Sequence, residues 1–141
     1  MWKTDLWIHV PEHGTTKTDK EYRYSLEIDR NGKLTRVCGD GTAAAATWNR
    51  AALECLAAGL SRFRQSAEVH IHSDNAWMLG SLEHYLDGWA EKDFATKTGE
   101  VANADLWRQI AAKKQGLKLV CVRHGFSEED RKMMIDHTKE E

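Results

Sequence analysis

His70, His72 and Asp74 alternate along one short segment and carry the first candidate chemistry. Alternate residues of a strand share a face, so two imidazoles and a carboxylate in this pattern can meet one metal ion. A closed zinc site needs a fourth ligand, for which His84 and His124 are available. The competing reading, preferred here, is a strand with one polar side whose histidines pair with neighbours. His124 follows an apolar run in Arg123-His124-Gly125, at what would be the carboxyl edge of a sheet. That place suits an acid–base residue and equally an ordinary loop histidine. Among six tryptophans, Trp77 and Trp107 fall on apolar helix faces and belong in a core, whereas Trp48 and Trp89 are the candidates for stacking on bases. No GxSxG, GxGxxG or P-loop occurs, so a serine nucleophile and a phosphate cradle of those types are not supported.

The elements that must position these residues are legible in the patterning. With 141 residues, 41% hydrophobic and 30% charged, the chain is sized for one compact domain over residues 1–141. No apolar run approaches a membrane span and the first residues lack a signal-peptide core, which places the chain in the cytoplasm. Cys38, Cys55 and Cys121 are odd in number and widely spaced, and read as free thiols. Twenty Lys+Arg stand against 22 Asp+Glu, for a net charge of -2. Nucleic-acid binding by bulk charge is thereby excluded, and any basic face must be local.

Asp5–Val10 reads as a first strand with Leu6, Ile8 and Val10 on one side, ending at Pro11. Glu21–Arg30 alternates as a second strand, Asn31-Gly32 supplies a tight turn, and Lys33–Cys38 returns. His13–Lys20 and Gly39-Asp40-Gly41 read as loops. The basic residues Lys17, Lys20, Arg23, Arg30, Lys33 and Arg36 are interleaved with acids and read as a solvated face. Thr47 caps a helix whose Leu53, Leu56, Leu60 and Phe63 share a face. Glu68–Ser73 is a strand, followed by a helix to about Leu86 with Asp74-Asn75 at the junction. Gly88–Ala102 reads as irregular. Asn103 then caps a helix that Gly116 closes, Leu117–Val122 is a last strand, and Ser127 opens a terminal helix. The order is that of an α/β fold, with an antiparallel hairpin half followed by βαβ crossovers.

Three segments give the chain a resemblance to the ribonuclease H type 1 family. They are Thr47-Trp48-Asn49-Arg50-Ala51 with Leu53 and Leu56, Ile71-His72-Ser73-Asp74-Asn75, and Trp89, Phe94 and Val101-Ala102-Asn103-Ala104-Asp105-Leu106-Trp107. The 25-residue step from Asn49 to Asp74 needs no gap against the family spacing. The resemblance implies an RNase H-like fold: a five-stranded mixed sheet, antiparallel over its first three strands and parallel among the first, fourth and last, with helices on both faces. In active members four carboxylates hold two Mg²⁺ that cut the RNA strand of an RNA–DNA hybrid. Two divalent ions about 4 Å apart activate water and steady the leaving oxygen, and their charge needs several oxygen ligands.

Carried over position by position, one carboxylate remains, Asp74, the single metal-ligand and catalytic position; His124 matches the family's loop histidine. The first-strand Asp falls at Val10 or Pro11, with Glu12 nearby. The first-helix Glu falls at Ala52, and Glu54 lies about 200° further round the helix. The last-helix Asp falls near Met133, between Asp130 and Asp136. Thr47, Trp48, Asn49 and Asn75 stand where hybrid is gripped, with Trp48 replacing a usual Asn, and Trp89 and Phe94 belong to the aromatic handle. There Lys92 and Lys97 are outnumbered by Glu91, Asp93 and Glu100, which weakens phosphate binding. The resulting expectation is a ribonuclease H-fold protein with a degenerate two-metal site. It would bind RNA–DNA hybrid or a related nucleic acid weakly, or a protein partner, and would not cleave. One alternative is an active endoribonuclease with a rearranged carboxylate set, the only reading that needs Mg²⁺ or Mn²⁺. The other is a pure protein-interaction module.

Overall fold

The computed structural model describes residues 2–139. Its elements are β1 (Trp2–His9), β2 (Thr18–Arg30), β3 (Lys33–Ala46), α1 (Trp48–Leu60), β4 (Ala67–Ser73), α2 (Ala76–His84), α3 (Leu86–Glu91), β5 (Ala95–Thr96), β6 (Gly99–Glu100), α4 (Ala104–Lys114), β7 (Leu117–Arg123) and α5 (Glu128–Thr138). The main sheet has the order β3-β2-β1-β4-β7. Strands β1, β2 and β3 pair antiparallel, whereas β4 lies parallel to both β1 and β7. This is the mixed sheet the sequence implies.

The core lies between the sheet and α1, where Leu6, Ile8, Val69 and Ile71 meet Leu53, Leu56 and Leu60, all almost fully buried. Helix α1 approaches β1 closely because Gly59 has no side chain. A Cβ there would meet Leu6 Cδ1 at 2.8 Å. Thr47 caps α1 as expected, its Oγ1 accepting from the Arg50 amide at 3.2 Å. Ser127 caps α5 in the same way, and the Asn31-Gly32 turn takes positive φ at both residues.

The hairpin strands run further than their patterning indicates. Gly39-Asp40-Gly41, expected as a loop, continues β3, because Tyr24 and Tyr22 on β2 lay their rings over Gly39 and Gly41 and fill the space a side chain would take. Lys20, expected on a solvated face, is 2% exposed, and its Nζ donates to Thr16 O, Thr18 Oγ1 and Ala46 O, each at 2.7 Å. These bonds tie the start of β2 to the end of β3. Gly88–Ala102 is not irregular throughout, since α3 and the small β5–β6 hairpin occupy most of it. Trp107 is fully buried as expected, but Trp77 is 39% exposed and touches Trp107 from outside the core. Cys38, Cys55 and Cys121 are free. No helix among the described residues is long and apolar enough to cross a membrane.

Candidate nucleic-acid interface

Strand β4 delivers Asp74 to the carboxyl end of the sheet, immediately before Asn75, which caps α2 by accepting from the Met78 amide at 2.9 Å. Asn75 also donates from Nδ2 to Asn49 Oδ1 at 3.0 Å. That bond joins the first turn of α1 to the end of β4, so the two segments paired in the sequence by their spacing meet in space.

The carboxylate of Asp74 is buried, and its Oδ2 lies 3.1 Å from His13 Nε2. His13 comes from the β1–β2 connection and is held on three sides. Its ring stacks on Trp48 with centroids 4.1 Å apart and meets Phe126 edge-on at 5.8 Å. Arg131 Nη2 donates to His13 Nδ1 at 3.4 Å. Burial pushes the Asp74 carboxyl above its ordinary value, against the opposing pull of His13, His9 and Arg131. The same burial lowers His9, with Asp74 acting in the opposite sense. Asp74 is therefore ringed by imidazoles and a guanidinium rather than by acids.

Among the candidate carboxylates, Glu54, Glu12 and Asp130 are engaged elsewhere. Glu54 receives Arg50 Nε at 3.3 Å, and Arg50 also forms a fork with both oxygens of Asp105 at 2.8 Å, tying α1 to α4. Hydrogen bonding to Arg50 holds the Asp105 carboxyl below its usual range. Glu12 accepts from Thr18 Oγ1, and Asp130 bonds Ser127 Oγ at 2.6 Å. Val10 and Ala52, positions at which the resemblance leads one to look for acids, are buried apolar residues. Among the described residues no three His, Cys, Asp or Glu side chains form a group that could hold a metal ion. A pair of divalent ions, which needs several converging oxygens, does not fit this donor set.

The three-residue metal pattern resolves into separate pairs. His70 Nε2 faces Glu68 at 2.8 Å. His72 lies between Asp5 Oδ1 at 2.8 Å and His124 Nε2 at 3.0 Å. His84, offered as a fourth ligand, is exposed on α2 beside Glu83. The polar-side reading of the strand thus describes these histidines. His124 is connected to Asp5 through His72, and burial lowers both imidazoles below their ordinary value.

Of the residues expected to meet nucleic acid, Thr47, Trp48, Asn49 and Asn75 come together around the start of α1. Trp48 gives one ring face to His13. Trp89 is half-buried against Tyr85 and Trp107 in the handle. Phe94 is corrected: it is 4% exposed and packs in the core with Arg108 over its ring, so it offers no free face to a base. His13, Phe126 and Arg131 are the site residues that sequence reasoning missed. The available signal was weak, a histidine in a polar loop and an aromatic beside the Ser127 cap.

Comparison with known proteins gives the family and the fold. The family model described as RNase H matches residues 7–130. The chain belongs to the RNase H family. A ribonuclease H of Campylobacter jejuni subsp. jejuni (strain 81-176) is 31% identical over 97 residues, covering 66% of this chain and 64% of the relative. The chain thus spans less than two thirds of that relative's length. Among solved structures, LC9-RNase H1, a type 1 RNase H with the type 2 active-site motif, superposes with a TM-score of 0.74 at 16% identity, over 96% of this chain and 70% of its own. LC11-RNase H1, solved with an RNA/DNA hybrid, gives 0.60 at 13% identity, over 95% of this chain and 92% of its own. At such identities the structures establish the RNase H fold.

Proposed function

We propose that this RNase H family chain binds RNA–DNA hybrid, or a nucleic acid of similar shape, without cutting it by the two-metal route. The observation that carries the reading is the Asp74–His13 contact at 3.1 Å, which sets an imidazole against the one remaining family carboxylate. Several acids are needed to collect two divalent ions, and here Val10 and Ala52 supply none. The binding half of the reading is supported by family membership and by the cluster of Thr47, Trp48, Asn49 and Asn75 beside the site. Trp48, Phe126 and His13 offer ring surface, and Arg131 offers charge for a backbone phosphate.

Cleavage of end-labelled RNA–DNA hybrid with Mg²⁺ or Mn²⁺ tests the catalytic half. No product above a protein-free control is expected. Robust cutting that disappears in Asp74→Asn would instead establish the rearranged-site nuclease, a reading favoured by the ribonuclease names of the relatives. Fluorescence anisotropy with hybrid, duplex and single-stranded probes at low salt tests the binding half. Hybrid binding weakened by Trp48→Ala is expected, and no binding to any probe would sink it.

A further inference from the structure

A second candidate binding site lies at the opposite end of the sheet. Trp2 and Asp74 mark the starts and finishes of parallel strands, with the length of β1 between them, about 23 Å at a strand's rise per residue. Helix α1 ends at Leu60, whereas β1 and β2 extend past it, so their α1-side face is uncovered there. The gap is a pocket of about 210 Å³. Its apolar wall includes Trp2, Ile28 and Phe63, and Arg30, Arg62 and Arg64 stand around it.

Three arginines around one small apolar pocket are unexpected in a chain whose net charge is -2. No acid lines the pocket. The nearest acids by sequence are turned away: Glu68 bonds His70 and Lys118 on the other sheet face, and Asp29 accepts from the Gly32 amide in the turn. Arg30 lies over the Trp2 ring at 3.9 Å, and Arg62 donates to the Tyr24 hydroxyl at 2.7 Å. Neither of these, nor Arg64, forms an ion pair with a carboxylate among the described residues. The α1 C-terminus does not account for them, because its last carbonyls are already capped by the amides of Ser61, Arg62 and Phe63.

We infer that this pocket binds a nucleotide unit, with its planar base against the Trp2–Phe63 wall and its phosphate held by the arginines. Guanidinium forks match phosphate oxygens, and aromatic walls accept any base by its π-face. The volume falls below the ~300 Å³ at which drug-sized ligand pockets begin, so it has room for one planar base, with the sugar and phosphate outside among the arginines. The inference is independent of the Asp74 site. The ligand is either a free nucleotide or one unit of a single strand, which share this chemistry.

The test is calorimetric titration of the full chain with adenosine 5′-monophosphate and with a short single-stranded oligo(dA). Binding of at least one probe is expected, with Trp2→Ala and Arg64→Gln each weakening it by about tenfold at unchanged melting temperature. Lys118→Gln, on the far face, should leave it unaltered. Binding of both probes points to a free nucleotide as sufficient, and binding of oligo(dA) alone to a strand. The inference is overturned if neither probe binds. It is also overturned if Lys118→Gln weakens binding as much as Arg64→Gln, or if poly-glutamate displaces the probe as well as inorganic phosphate does, since the face would then be merely cationic.

Discussion

The two faces of the central sheet are made from opposite materials. Against α1, β1 and β4 present Leu6, Ile8, Val69 and Ile71, and the helix answers with leucines. Against α5, the same strands present Asp5, Trp7 and His72. Trp7 is stacked between His72 at 3.9 Å and His137 at 3.8 Å, both nearly parallel to it. His137 Nδ1 bonds buried Glu27 at 2.7 Å, whose other oxygen receives Arg36 at 2.9 Å. Helix α5 itself buries chiefly Met134 and Thr138. One face is held by apolar area, which does not respond to pH. The other is held by rings and ionisable groups whose partnership does, and it leads directly through His124 to the candidate interface.

The largest effect that sharpens this contrast is expected from Leu56→Ala, which removes a fully buried side chain from the apolar face. Chemical denaturation should show a loss of about 2–5 kcal/mol. A loss below 1 kcal/mol on that scale would break the claim that this face carries the fold. His137→Ala should cost less, about 1–3 kcal/mol, through one lost ring stack and a buried Glu27 left with Arg36. Its effect should be visible as earlier proteolysis at α5.

Next in size is the pH response. Burial lowers His9, His72 and His124 in the folded chain, so the unfolded chain binds more protons below the ordinary histidine value. Their stability is complete above about pH 6.5 and is lost as pH falls through the lowered folded values. Thermal melts should therefore be flat above neutrality and decline below it. His72→Gln should make that decline shallower, and an unchanged profile would exclude His72 as one of its sources. The smallest effect is expected at the Arg50–Asp105 fork, where Asp105→Asn should cost below about 1 kcal/mol because the pair faces solvent.

Sequence reading located the strands of the sheet and the helices around α1, β4 and α4, because periodicity and caps are local properties of the chain. It failed at Gly39–Gly41, where the backbone is held extended by tyrosines on the neighbouring strand, and at Phe94, whose burial depends on α4. It also gave His13 no role, since nothing nearby in sequence indicates that Trp48, Phe126 and Asp74 will surround it.

The residue motifs carried the resemblance to the family and, through it, the mixed sheet, while hydrophobic period and turn chemistry placed the strands and helices locally, and residue identity put the apolar Val10 and Ala52 where the resemblance calls for acids. The tertiary structure alone decided what replaced those acids. His13, Arg131 and the arginines around Trp2 come from segments far apart in the chain, and the charge they place in each pocket exists only once packing has brought them within hydrogen-bonding or stacking distance.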